Sequence, residues 1–159
     1  MEAIRFVTES TYRGSPEAVI EKIFNPSEWK TFSGWAIIPA VREVTISEFC
    51  DEKIGTIFSV ENADGSTHRE IVVNHTPGKL LEMRMDRFSR PLAWISDYFL
   101  ETWRFERLGE ATQMQRIFEL HARNALGKML LFPIAFCLKR AIQAHNQAIL
   151  QRIIDDHTI

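Results

Sequence analysis

The stretch from Ala3 to Trp35, AIRFVTESTYRGSPEAVIEKIFNPSEWKTFSGW, holds the pattern that decides the fold. Residues 3–13 alternate, with Ile4, Phe6, Thr8, Ser10 and Tyr12 set against Arg5, Val7, Glu9, Thr11 and Arg13. That alternation predicts a first strand with one mainly polar face. Ser15-Pro16-Glu17 then supplies an N-cap, a proline at the first helical position and an early acid. Val19, Ile20, Ile23 and Phe24 form the apolar stripe of a short helix. Asn25-Pro26-Ser27-Glu28 repeats the start signal, with Glu28 placed as in a capping box. A second short helix is expected through Trp29 to Phe32, stopping near Gly34.

From about Ala40 to Ala122 the period becomes that of strands. Val44 and Ile46 alternate, as do Thr56, Phe58 and Val60, then Leu81, Met83 and Met85. Phe99, Glu101, Trp103 and Phe105 continue the series, and Met114, Arg116, Phe118 and Leu120 close it. Turn signals at Asp51-Glu52-Lys53, Asn62-Ala63-Asp64-Gly65, Thr76-Pro77-Gly78 and Gly109-Glu110 separate them into a meander of six antiparallel strands. The register across Asp64-Gly65 stays open by one residue, because a bulge there would turn His68 and Glu70 to the other face.

From Asn124 to about Asp156 the period is helical. Cys137, Ala141, Ala144, Ala148 and Ile149 make one face, while Lys139, Arg140, Gln143, Asn146 and Gln147 lie largely opposite. Pro133 kinks this helix or marks its start. The resulting fold class is α+β: a seven-stranded curved antiparallel sheet wrapped around a long C-terminal helix, with two short helices after strand 1. The sheet must bury one face, and the long helix is the large element able to cover it. Where the curved sheet and the helix diverge, a pocket is expected.

Composition sets the bounds. A chain of 159 residues fits one domain, residues 1–159, and buries roughly 70% of its unfolded surface without needing disulfides or a metal. Net charge is −2 and no Lys/Arg run occurs, which argues against a nucleic-acid binder. The two cysteines, Cys50 and Cys137, show no CxxC spacing and fit a reducing compartment. The N-terminal MEAIRFVTES has no apolar core of a signal peptide. The apolar run Met129 to Leu138 is too short to span a bilayer, so no stable membrane insertion is expected. The expected location is cytoplasmic.

The chain resembles the START/polyketide-cyclase superfamily, SRPBCC, with its helix-grip fold. The resemblance rests on the first strand running into Gly14-Ser15-Pro16-Glu17-Ala18-Val19, and on Phe24-Asn25-Pro26-Ser27-Glu28-Trp29 with Trp35. Lys53-Ile54-Gly55-Thr56, His75-Thr76-Pro77-Gly78-Lys79-Leu80 and a terminal helix entered through Gly127 extend it over nearly the whole chain. These motifs describe architecture. The resemblance implies a pocket for a lipid-like or aromatic molecule in proteins that carry, sense or cyclise such ligands.

Pairing the last two strands across Gly109-Glu110 sets Trp103 opposite Arg116 and Glu101 opposite Phe118, all on the expected concave face. A buried arginine needs a partner, and Glu101 or Glu70 supplies one. Arg116 then either orients a carboxylate, phenolate or carbonyl of the ligand beside Trp103, or forms a structural pair with Glu101. Phe58, Met83, Met85, Phe118, Met129, Phe132 and Phe136 line an apolar cavity or serve as plain core. With Trp35, Glu70, Glu101, Trp103 and Arg116 they complete the expected ligand-contacting set. His68 and Glu70 share a strand face and form a candidate acid/base couple, with no nucleophile beside them. Cys137 and His145 stand about 12 Å apart along one helix and cannot act together. The histidines show no metal-ligand spacing, and neither a phosphate loop nor a GxSxG elbow occurs, so no metal or cofactor is expected. The segment Leu130 to Phe136 is apolar around much of its circumference. It could gate the pocket, make a dimer contact or touch a membrane surface, and homodimerisation is the expected cover for the part that burial against the sheet leaves open.

Two functions follow. One is binding of a small hydrophobic, lipid-like or aromatic ligand between sheet and helix. The alternative is an enzyme of the polyketide cyclase/dehydratase type that uses Arg116 and a nearby carboxylate.

Overall fold

The computed structural model describes residues 1–158. Strand β1 (Ile4–Arg13) leads into helix α1 (Pro16–Ile23) and a 3₁₀ helix (Pro26–Thr31). Six strands follow: β2 (Val41–Glu48), β3 (Ile57–Asn62), β4 (Thr67–Thr76), β5 (Leu80–Asp86), β6 (Ser96–Leu108) and β7 (Ala111–Ala122). A four-residue helix α2 (Leu92–Ile95) interrupts the meander before β6, and α3 (Ala125–Asp156) ends the fold. The described strands form one antiparallel sheet in the order β1-β7-β6-β5-β4-β3-β2. This is the sheet-and-helix arrangement that the alternation and turns predict, and the helix-grip fold that the resemblance implies.

Local signals held unevenly. Pro16 does open α1, but the Ser15 side chain makes no cap bond. Asn25 accepts from the Ser27 amide and caps the second short helix, which is 3₁₀. The capping box does not close, because Glu28 turns instead towards Lys22 at 3.9 Å and Arg152 at 3.8 Å. Gly34 is required by its loop: φ is +73°, and a Cβ there would lie 2.2 Å from the Ile38 carbonyl oxygen. Helix α3 starts at the Asn124 cap and runs through Pro133, which therefore marks no boundary. At its first turn, a Cβ on Gly127 would lie 2.4 Å from the Ile95 carbonyl oxygen, so glycine lets α3 seat on α2.

The buried stripe of α3 is Leu131, Ala135, Leu138, Ala141, Ile142, Asn146, Ile149 and Ile153. That corrects the expected face. Ala144 is exposed, and Asn146, expected outside, is buried. The long aliphatics decided the orientation, since they remove more apolar area from water than alanines do. They fall into two apolar clusters. Ile149 and Ile153 join Tyr12, Val19, Phe58 and Trp103 at one end. Leu131, Leu138 and Ile142 join Phe99, Phe118 and Leu120 at the other.

Candidate functional site

Between the inner face of the sheet, α3 and the segment joining β5 to β6 lies a cavity of about 410 Å³. Met83, Met85, Phe99 and Phe118 face it from the sheet, and Ile134, Leu138 and Ile142 from α3. Phe88, Leu92 and Ile95 close it from the connecting segment, where the Phe88 ring packs 4.8 Å from Phe99. Strand alternation dictates this inward set, because Met83, Met85, Phe99, Glu101 and Trp103 are spaced by two. Asn62, Asp64, Ser66 and Thr67 make one rim polar.

At the inner end the cavity meets a buried polar layer. Arg116 on β7 lies opposite Trp103 on β6, with the guanidinium 3.8 Å from the indole centroid. Its Nη2 donates to Glu101 Oε1 at 3.0 Å, and Nη1 donates to Asn146 Oδ1 at 2.9 Å. The same Nη1 lies 2.9 Å from His145 Nδ1. Arginine offers donors only, so this ring nitrogen must present its lone pair and the proton sits on Nε2. Nε2 then donates to Thr31 Oγ1 at 3.1 Å, and the Thr31 hydroxyl donates to the Glu28 carbonyl at 2.6 Å. Asn146 Nδ2 donates to Thr8 Oγ1 at 3.0 Å. One guanidinium therefore ties β6, β7, β1, α3 and the 3₁₀ helix together.

Burial sets the protonation of this layer. Loss of water pushes the Glu101 carboxyl up to about 7; Arg116 pulls it down, and the neighbouring Glu70 charge pushes it up again. The Trp103 indole also draws it down slightly, without closing a hydrogen bond. Burial, and then the Arg116 charge, hold His145 well below the usual histidine range, so it stays neutral. Glu70 on β4 is buried, with Oε1 2.9 Å from His68 Nε2. Glu101 and Glu70 thus use one oxygen each. Their second oxygens make no hydrogen bond among the described residues and are not sealed off, unlike Trp103 Nε1 and Arg116 Nε.

The sequence matches the model of a family described as polyketide cyclase/dehydrase and lipid transport over residues 3–153. The chain belongs to that family. It lies in the SRPBCC superfamily, as its motifs implied. No curated protein matches its sequence significantly. Solved structures with the same fold include Ara h 8.0201, at 16% identity and TM-score 0.74, covering 96% of this chain and 99% of that one. A norcoclaurine synthase point mutant from Thalictrum flavum, in complex with a transition-state analogue, matches at 16% identity and TM-score 0.71. That match covers 99% of both chains. Major latex-like protein 151 from Panax ginseng matches at 11% identity and TM-score 0.69, covering 96% of this chain and 98% of that one.

In this polyketide cyclase/dehydrase-family chain, seven residues of the expected set line the cavity: Glu70, Met83, Met85, Glu101, Trp103, Arg116 and Phe118. The other five lie elsewhere. Phe58 is core, packed against Phe24 and Trp29. Trp35 sits outside, edge-on to Phe136. Met129, Phe132 and Phe136 are exposed, because the Leu131–Ile153 stripe turns them to the far side of α3. Cys137 and His145 do not meet, and among the described residues no cluster of metal-ligating side chains occurs. No helix among them is long and apolar enough to cross a membrane.

His145 and Asn146 were not among the expected site residues, yet a signal for them was present. Leu131, Leu138, Ile142, Ile149 and Ile153 are spaced 7, 4, 7 and 4 apart, and 145 and 146 fill the turn that this stripe skips. The segment Phe88–Ile95 gives no such signal, having neither strand nor long helical period.

Proposed function

We propose that this chain binds one small, largely apolar molecule whose polar group donates a hydrogen bond to Glu101 or Glu70. The observation that carries the reading is the distribution of donors and acceptors at the inner end of the cavity. Arg116 spends its Nη1 donors on Asn146 and His145 and one Nη2 donor on Glu101, and its unpartnered Nε is sealed from the cavity, so it has little left to offer an anion. Two carboxylates each keep an oxygen free. A phenol, alcohol or ammonium satisfies such acceptors, whereas a carboxylate meets like charge. The cavity volume suits a ligand of a few fused rings or a folded alkyl chain.

Calorimetric titration with 2-naphthol, 2-naphthylmethylamine and 2-naphthoate tests this, because the three share one apolar body. The alcohol and the amine are expected to bind at least about tenfold more tightly than the acid, as one charge-assisted bond gained against one repulsion predicts. Tighter binding of naphthoate would return Arg116 to the role of ligand anchor.

A second reading, proton transfer of the cyclase/dehydratase kind, is favoured by one specific feature. Glu101, at about 7, can both take and return a proton near neutral pH. Solvent-deuterium exchange into the α-methylene of a bound aryl ketone, lost in Glu101→Gln, is its signature. Binding without exchange leaves a carrier or sensor.

A further inference from the structure

The first three turns of α3 show water a face that is apolar where a surface helix is normally polar. Leu126, Met129, Phe132 and Phe136 are 65%, 69%, 56% and 58% exposed, and Leu130 is exposed beside them. Exposed Trp94 flanks the patch at the α2 end, and Trp35 meets Phe136 at 6.1 Å on the other side. A contiguous patch of this kind marks an interaction surface.

Its charge setting selects the partner. From Arg123 to Ile154 the chain carries five basic residues and no acid, within a protein of net charge −2. Arg123 and Arg152 are held in the fold, by backbone carbonyls and Glu28 respectively. Lys128, Lys139 and Arg140 remain along the patch. The Arg140 guanidinium lies 5.5 Å over Phe136, and that of Arg90 lies 5.6 Å over Trp94. Large apolar side chains with tryptophans at the edge and cations alongside are what a helix lying in a headgroup layer presents. A second copy laid on this face would bring the cations of both copies together, whereas anionic headgroups neutralise them.

We propose that the N-terminal half of α3, with α2 and the loop at Trp35, docks peripherally on an anionic lipid surface. The patch adjoins the cavity. Ile37 is exposed and also lines it, and Ile134 and Leu92 line it from α3 and α2. Docking therefore sets an entrance of the cavity against the bilayer, from which an apolar ligand passes without crossing water.

Co-flotation of the full chain with phosphatidylcholine vesicles, with and without phosphatidylserine, tests the proposal. Binding is expected to the phosphatidylserine vesicles and to weaken with added salt. The double variant Phe132→Ser/Phe136→Ser should lower partitioning roughly tenfold or more, the loss expected for two buried aromatics. Lys139→Glu/Arg140→Glu should abolish the preference for phosphatidylserine. Both variants change exposed residues, so unaltered thermal unfolding and naphthol binding are the checks on their integrity. No flotation with either vesicle overturns the proposal, as does flotation that both variants leave unchanged. A dimer by light scattering that the Phe variant dissociates, with no flotation, overturns it in favour of a second copy. None of these outcomes touches the naphthol titration, so failure of docking and failure of ligand binding are read separately.

Discussion

Arg69–Asp86 and Arg116–Glu101 are two arginine–carboxylate pairs placed on opposite faces of one sheet. On the outer face Arg69 donates two parallel bonds to Asp86, each 2.7 Å, and Arg84 adds a contact at 3.3 Å. The Arg69 bonds hold Asp86 below the usual carboxylate range, and Asp86 in turn raises Arg69. On the inner face Arg116 gives Glu101 a single bond of 3.0 Å, and burial pushes Glu101 up and Arg116 down. Water accounts for the difference. Near solvent the pair stays charged at small cost, but inside, the lost hydration outweighs much of the attraction. An ion pair kept where it is expensive, with Glu101 lining a cavity and bonded through one oxygen only, marks the inner pair as the functional candidate.

The largest test of this contrast removes the cation. Arg116→Met leaves Glu101 buried beside Glu70 with no counter-charge, and Asn146 and His145 with no donor. The expected loss is about 3–5 kcal/mol in urea unfolding at pH 8, the range for breaking a buried pair from one side. The loss should shrink in mild acid, where Glu101 is neutral. A loss no larger than that of Arg69→Met would erase the distinction between the faces.

The pH response comes next in size. Glu101 has a folded value of about 7 against 4.5 unfolded, so between these the native state binds the extra proton. Its contribution is therefore full below about 4.5 and is lost as pH rises through 7, by up to about 3 kcal/mol at ~1.4 kcal/mol per pKa unit. His145 works the other way. Held below its unfolded 6.5, it costs stability as pH falls under that value. The two oppose each other between about 4.5 and 6.5, so the wild-type curve alone hides both. The stability difference between wild type and Glu101→Gln isolates the glutamate. The neighbours from each packed element (Glu70 and His68 on β4, Arg116 on β7, His145 on α3) are common to both proteins. That difference should move against the wild type as pH rises from 4.5 to 7. A flat difference would place the Glu101 proton elsewhere.

Much of this contrast was legible in the sequence, for a definite reason. The β6–β7 hairpin closes at Gly109-Glu110, with Leu108 paired to Ala111, and a tight turn fixes register. Trp103 opposite Arg116 and Glu101 opposite Phe118 follow from counting. Glu70 could not be placed that way, since its face depends on the longer turn at Asn62–Ser66. Asn146 and His145 were hidden because polar residues on a helix read as solvent-facing, and a partner 30 residues away carries no local signature. Met129, Phe132 and Phe136 misled in the opposite sense. They are apolar enough for a core, but the helix has one buried stripe, and the longer run from Leu131 to Ile153 takes it.

The smallest effect belongs to the outer pair. Arg69 and Asp86 side chains are 24% and 13% exposed, so part of their attraction is screened. Arg69→Met should cost under about 1 kcal/mol, and less in high salt. Its pH dependence carries the opposite sign to that of Glu101. Asp86 is lowered from 3.8, so its contribution is present above that value and disappears as pH falls through the folded one. The variant should therefore converge with wild type in acid. Glu101→Gln, by contrast, should trail the wild type most in acid. Two carboxylates paired with arginine in one sheet would then titrate in opposite directions, with the water on one side of that sheet as the cause. If both differences ran the same way with pH, burial could not be what separates them.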